Sequence, residues 1–248
     1  MRLNRVFVGE LLSTGSEVLL PDAAAYHVAR VLRLRAGAPL VLFDGSGADF
    51  RGEVVAVEGD RVRVSVGERS AGLRESPLAI TLVQAVSRGE RMDWTLQKAT
   101  ELGVRRIQPV LSARSVVRLD EQQAAKKLRH WQAIVAAACE QCGRSVLPLV
   151  EAPLELPRYF AGPRGEGRRL VLSPDAARSV ATVAARLDGD VTGVELLIGP
   201  EGGLEATEVA AAALAGFEPV RLGPRVLRTE TAGIAALAVL QALAGDLG

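Results

Sequence analysis

Two glycine-containing turns in the last quarter of the chain hold the residues best suited to chemistry. The first, Gly199-Pro200-Glu201-Gly202-Gly203, follows the apolar run Val194-Glu195-Leu196-Leu197-Ile198. The second, Leu222-Gly223-Pro224-Arg225-Val226-Leu227-Arg228-Thr229-Glu230-Thr231-Ala232, follows a short apolar run ending at Leu222. Each sits at the carboxyl end of a predicted strand, where open α/β sheets bind ligands. Within them Arg228 is the candidate cation for stabilising developing negative charge, and Glu201 and Glu230 are candidate bases or orienting groups. The competing roles are an Arg228–Glu230 ion pair and capping of the next helix by Thr229 or Thr231.

The first turn is not a dinucleotide fingerprint. Pro200 and Glu201 stand where a backbone would have to approach pyrophosphate, and a carboxylate there would repel it. A Gly-x-x-x-x-Gly-Lys-Ser/Thr loop is absent from the sequence, which argues against a nucleoside triphosphatase. A glutamate in a glycine loop suits a cationic or polar ligand instead. S-adenosylmethionine carries a sulfonium, an ammonium, a ribose and an adenine, and glycines at 199, 202 and 203 would let main-chain groups approach it closely. After this loop Glu205 takes the N-cap position of a helix and Glu208 the N3 position. Glu205 is a poor cap, yet a carboxylate there is still favourable by roughly 0.3–1 kcal/mol.

Those turns need a sheet to carry them, and 248 residues suffice for one large or two small domains. The chain is 48% hydrophobic, and no apolar run approaches the roughly 18 residues that a bilayer span requires. The N-terminus reaches Gly9-Glu10 before a signal-peptide core can form. A soluble, cytoplasmic protein without a membrane partner is the expectation. Cys139 and Cys142 lie late in a helical pattern, where the helix dipole does not activate a thiol. The two histidines, His27 and His130, stand in other segments, so no metal site is expected. His27 reads as a barrel-interface residue, not a catalyst. Net charge is +1, but residues 74–150 are net positive and residues 151–248 net negative. A basic middle segment suits a polyanion such as RNA, although solvated helix faces would give the same count.

Residues 1–73 read as mostly β, with strands at 40–43, 53–57 and 61–66, the last alternating at period two. One helix is expected at 22–35, capped by Asp22, with Val28, Val31 and Leu32 on one face and Gly37 as its stop. From residue 78 the pattern changes to alternating strand and helix. Strands are expected at 78–86, 107–111, 146–150, 169–173, 194–198 and 219–222. Helices are expected at 92–102, 121–142, 176–187, 205–215 and 230–244, and a loop at 151–168. This alternation implies a mostly parallel sheet covered on both faces. The predicted domains are therefore 1–73, a small barrel, and 74–248, an α/β domain.

The two turns resemble the signature loops of the bacterial 16S ribosomal RNA uridine-N3 methyltransferases of the SPOUT, or α/β-knot, superfamily. The likeness extends over the whole chain: Arg5-Val6-Phe7, His27-Val28-Ala29-Arg30-Val31-Leu32-Arg33, Met92-Asp93-Trp94, Lys98-Ala99-Thr100-Glu101-Leu102-Gly103, Arg114-Ser115 and Glu140-Gln141-Cys142-Gly143-Arg144 all match in order and spacing. Departures are Pro224, where the family has a polar or small residue, and the Glu205 cap.

The resemblance implies a PUA-like β-barrel that binds RNA, a trefoil-knotted α/β domain and a homodimer. It also implies S-adenosylmethionine as methyl donor and N3 of uridine 1498 of 16S rRNA, in the small ribosomal subunit, as acceptor. N3 becomes nucleophilic only when its imide proton leaves and charge spreads to O2 and O4, which is the role foreseen for Arg228. Expected cofactor contacts are Leu172, Ser173, Ile198, Gly199, Pro200, Glu201, Gly202, Leu222, Gly223, Arg225, Val226 and Leu227. Expected RNA contacts are Arg5, Arg30, Arg33, Arg35, Arg88, Arg91, Arg114 and Arg144, since Arg both pairs with phosphate and stacks on bases. A non-catalytic RNA-binding or ribosome-assembly protein with the same fold, or a methyltransferase with another RNA target, is the alternative.

Overall fold

The computed structural model describes residues 3–72, 75–163, 167–187 and 193–248. The chain forms two compact units: residues 1–75 with 136–147, and residues 76–135 with 148–248. The expected boundary at 73/74 lies outside the described residues.

The first unit is built on a five-stranded sheet of β1 (Arg5–Phe7), β2 (Glu17–Leu19), β3 (Pro39–Phe43), β4 (Ala48–Glu58) and β5 (Arg61–Ala71), in the order β1-β3-β4-β5-β2. β1 runs parallel to β3 and the other pairs are antiparallel. The alternation expected along 61–66 is real: Val62, Val64 and Val66 enter a core with Leu40, Leu42, Phe50 and Val54. The single helix expected at 22–35 is two pieces. α1 (Asp22–Tyr26) runs into a π-helical turn over His27–Val31, and Arg33 adopts a left-handed φ of 53°. The extra residue in the π turn rotates the helix face, so Val28 is buried while Val31 is 58% exposed. Asp22 lies in the first turn after Pro21 and makes no side-chain cap.

Residues 136–147 complete this unit. They are the last turns of α3 (Glu121–Cys142) and the segment after it. Glu140 accepts a hydrogen bond from the Phe7 N–H at 2.9 Å. Arg5 reaches both carboxylate oxygens of Asp49, and Ser145 donates to the same carboxylate. Arg144, 4% exposed, is paired with Glu75. Burial pushes the Cys139 thiol up to about 12.

The second unit is an eight-stranded parallel sheet. Its strands are β6 (Ala79–Ala85), β7 (Arg106–Leu111), β8 (Leu149–Val150), β9 (Leu154–Glu155), β10 (Arg168–Leu172), β11 (Arg178–Ser179), β12 (Gly193–Ile198) and β13 (Glu218–Arg221). Their order is β11-β13-β10-β12-β6-β7-β8, with β9 also on β7. One face carries α2 (Glu90–Glu101), the first part of α3, α5 (Val180–Ala184) and α7 (Thr229–Ala244) over Ile80, Leu82, Leu196 and Ile198. The other carries α4 (Leu156–Ala161) and α6 (Ala206–Leu214) over Val83, Ala85, Val171 and Leu197. Both faces of β6 and β12 are thus covered, which explains their nearly unbroken apolar sequences. α7 follows β13, on the far side of β10, and packs back on β12 and β6.

Two local expectations give way. The loop foreseen at 151–168 contains β9 and α4, because Leu156 is fully buried and Pro157 fits the first turn of a helix. The helix foreseen at 176–187 is the short α5 after β11, capped by Ser179 accepting from the Thr182 N–H at 3.1 Å.

The Cys139 thiol sets a test of this packing. At pH 8 its thiolate fraction is roughly one in ten thousand. Iodoacetamide should leave Cys139 unmodified in the native protein for hours and alkylate it at once in denaturant, as read by peptide mass spectrometry; rapid native labelling would contradict the burial of the helix end.

Candidate functional site

Because β13, β10, β12, β6 and β7 are parallel neighbours, the connections that leave their carboxyl ends line one edge of the sheet. They are the segments at 222–228, 173–177, 199–205, 86–89 and 112–120. Both sequence-predicted loops therefore stand on this edge, and one side chain joins them. The Thr229 hydroxyl donates to the Gly199 carbonyl at 2.7 Å and accepts from Gln84 Nε2 at 3.1 Å. The second Gln84 N–H goes to the Ala85 carbonyl at 3.0 Å. Thr229 and Gln84 are both buried, so these bonds act away from competing water. Thr229 is not the cap foreseen for it. Gly233 of α7 leaves room for this arrangement, since a Cβ there would stand 3.3 Å from Gln84 Oε1.

The first loop is closed internally by Gly203 N–H to the Pro200 carbonyl at 2.9 Å, with Gly203 at φ 70°. Its glycines serve packing in a way the sequence did not suggest. A Cβ on Gly202 would point at Arg114, 3.3 Å from its Cβ, and one on Gly199 would meet Leu204. Ile198 and Pro200 are buried, so Ile198 can offer a ligand only its main chain. Glu201 is engaged with Arg91, Nη1 to Oε1 at 3.0 Å. At the far end of the loop Glu208, itself buried, accepts from the Glu205 N–H at 2.9 Å and the Ala113 N–H at 2.8 Å. The Glu205 N–H bond is the Glu208 side of a capping box with Glu205 at the N-cap.

The second loop is different in kind. Gly223, Arg225, Val226 and Leu227 form no main-chain hydrogen bond among the described residues, and Val226 is 82% exposed. Unspent main-chain donors and acceptors on a fixed scaffold are what a purine edge and ribose hydroxyls require, so the site suits an adenosyl ligand. The Ser173 N–H, by contrast, is spent on the Val220 carbonyl at 2.9 Å, and Leu172 is partly buried beside it. Arg228 is exposed and has no carboxylate partner among the described residues; the Arg228–Glu230 pair is not formed. Glu230 lies in the first turn of α7.

The foreseen RNA contacts divide sharply. Arg5 and Arg144 have side chains only 8% and 5% exposed, paired with Asp49 and Glu75, so they are structural ion pairs in the first unit, unlike the surface arginines expected. Arg91 and Arg114 are engaged with the first loop. Arg30 pairs with Asp60 on the surface. Arg33, Arg35 and Arg88 are exposed and carry no ion pair among the described residues. No group of metal-ligating side chains occurs among the described residues, and none of their helices is long and apolar enough to cross a membrane. Sequence reasoning missed Gln84 and the bridging role of Thr229. A glutamine inside the apolar stretch 78–86 was the available signal.

The arrangement is a carboxyl-edge candidate site on a parallel α/β sheet, made chiefly of main chain, in a chain that also carries a five-stranded β unit. Residues 74–241 match the RNA methyltransferase domain and residues 20–67 the RNA methyltransferase PUA domain. A methyltransferase of Legionella pneumophila, solved in complex with S-adenosylmethionine, is 38% identical with a TM-score of 0.94, covering 99% of this chain and all of its own. A ribosomal RNA small subunit methyltransferase E of Neisseria gonorrhoeae, bound to S-adenosylmethionine, is 39% identical with a TM-score of 0.90 over 100% of both chains. The enzyme of that name from Buchnera aphidicola (Schizaphis graminum) is 31% identical over 246 residues, 99% of this chain and 98% of its own. This chain belongs to the RNA methyltransferase family that the small subunit methyltransferases E represent. The expected architecture, a SPOUT-class α/β domain with a PUA-like barrel, is borne out.

Thr229→Val leaves the Gly199 carbonyl and one Gln84 N–H unpaired. It should cost about 1–3 kcal/mol and weaken S-adenosylmethionine binding at least tenfold. Thr229→Ser should keep both stability and affinity. Thermal melts and calorimetric titration of the two variants check this.

Proposed function

We propose that this protein transfers the methyl group of S-adenosylmethionine to N3 of a uridine, at position 1498, in the 16S RNA of the small ribosomal subunit. The observation that supports it most is the Thr229 bridge, which holds two main-chain-rich loops together at the carboxyl edge. Relatives of nearly the same length and fold bind S-adenosylmethionine. Bound there, the cofactor would supply an electrophilic methyl group. Gly223, Arg225, Val226 and Leu227 would hold its adenosyl part by main chain, with Leu222 against the base. The Gly199-Pro200-Glu201-Gly202 stretch would border the remainder, and Leu172 and Ser173 would close the side.

The remaining task is to make N3 nucleophilic. Arg228 stands at the start of α7 with a guanidinium that no described carboxylate neutralises. Placed beside O2 or O4, it would stabilise the charge left when the imide proton departs. Glu230, in the first turn of the same helix and without an ion-pair partner among the described residues, is the remaining carboxylate to take or orient that proton. Glu201 faces Arg91 and serves orientation, not proton removal. Arg33, Arg35 and Arg88 are left as the exposed contacts for the RNA backbone. The working form is a cytoplasmic homodimer, as the family resemblance implies; the small residues of α7 suit close helix packing.

Two measurements test the reading. Mass mapping of 16S RNA from a deletion strain, with and without this gene, should show a single methyl group restored at that uridine and carried on N3; restoration at another nucleotide, or none, would overturn it. Arg228→Ala should lower the single-turnover rate about 10²–10³-fold, with S-adenosylmethionine affinity changed less than about threefold. A parallel loss of rate and affinity would make Arg228 a binding residue.

A further inference from the structure

We infer that Arg91 and Arg114 are positioning residues for the first loop, acting through Glu201, Gly202 and Glu205 to hold it in the shape that receives the methyl donor. The inference rests on the reading of that loop as part of the S-adenosylmethionine site.

Held only from within, this loop would be loose. Gly199, Gly202 and Gly203 give it three residues that lose more conformational freedom on ordering than any other type. Its own main chain makes one turn bond, Gly203 to Pro200, and Thr229 fixes only the Gly199 end. The middle and far end are held from neighbouring connections. Arg91, in the first turn of α2, meets Glu201 at 3.0 Å. Arg114, in the connection after β7, donates from Nη1 to the Gly202 carbonyl at 3.0 Å and lies with Nε 3.7 Å from Glu205 Oε1. Its neighbour Ala113 donates to Glu208. The absent Gly202 side chain is where Arg114 runs.

Both guanidinium groups therefore already have acceptors on the loop. A loop ordered before the ligand arrives spares binding the cost of ordering it. Each contact is half exposed: Arg91 is 47% and Arg114 52% accessible. Exposed pairs are individually weak, so single substitutions should act modestly and jointly.

The test is calorimetric titration of S-adenosylmethionine into wild type, Arg91→Ala, Glu201→Gln, their double variant, Arg114→Ala and Arg91→Ala/Arg114→Ala. Expected are losses of about 2–5-fold for each single variant and about 10-fold for the two arginines together. Arg91→Ala/Glu201→Gln should be no weaker than either single variant, because the two act as one unit. Arg91→Lys should recover part of the affinity. In steady state KM for S-adenosylmethionine should rise more than kcat falls. RNA affinity, measured by filter binding with S-adenosylhomocysteine present, should stay within twofold.

Unchanged cofactor affinity in the arginine variants would overturn the inference, as would strictly additive Arg91 and Glu201 effects. So would loss of RNA affinity alone, which would restore both arginines to the RNA surface. If an alanine variant fails to fold, Arg91→Gln and Arg114→Gln carry the same comparison. Absence of binding by the wild-type protein would instead refute the cofactor site itself, a distinct outcome.

Discussion

A single buried hydroxyl ties the two glycine-bearing segments together. Thr229 donates to Gly199 and accepts from Gln84, and so links the end of β12, the start of α7 and the end of β6. Each partner is short of alternatives: the carbonyl belongs to a turn with one internal bond, and the glutamine amide is sealed beneath α7. Without that link the two glycine-bearing segments would be neighbours only by strand order. With it, they are tied to one another and to the end of a covered strand.

The division of labour between the segments follows from how each spends its polar groups. The 199–208 segment uses each of its three carboxylates on the protein: Glu201 on Arg91, Glu205 on Arg114, Glu208 on two amides. Gly223, Arg225, Val226 and Leu227 keep their main chain, and Arg225 and Arg228 their guanidinium groups, uncommitted among the described residues. A braced segment beside one with unspent main-chain groups suits a ligand with one flat, hydrogen-bonding end. Pro224, the departure from the family pattern, lies in the second segment and stiffens it without removing a side-chain donor.

Strand and helix positions in the α/β unit were legible because they are local: β6 and β12 are apolar on both faces, and Trp131, Val135 and Ala138 of α3 repeat at helical spacing. The carboxyl-edge placement of both loops followed from parallel topology. What was not legible depends on partners far apart in sequence. Arg5 and Arg144 read as surface cations because most arginines are, yet their carboxylates lie 44 and 69 residues away. Thr229 read as a cap because helix starts favour threonine, and nothing local reveals a carbonyl 30 residues earlier as its acceptor. The π turn at 27–31 escaped because a single inserted residue leaves composition unchanged while moving Val31 to the surface.

The barrel unit is discontinuous, and this bears on how the chain must fold as it is made. Arg5 and Asp49 are within reach of each other early, but Ser145, which shares their buried cluster, and the end of α3, which supplies Glu140 to Phe7, are synthesised some distance later. The N-terminal sheet therefore has its full set of native partners only once residue 147 has been made. Nascent-chain order and native architecture are out of step here: the first domain to begin is finished only after most of the second domain's opening strands and helices have emerged.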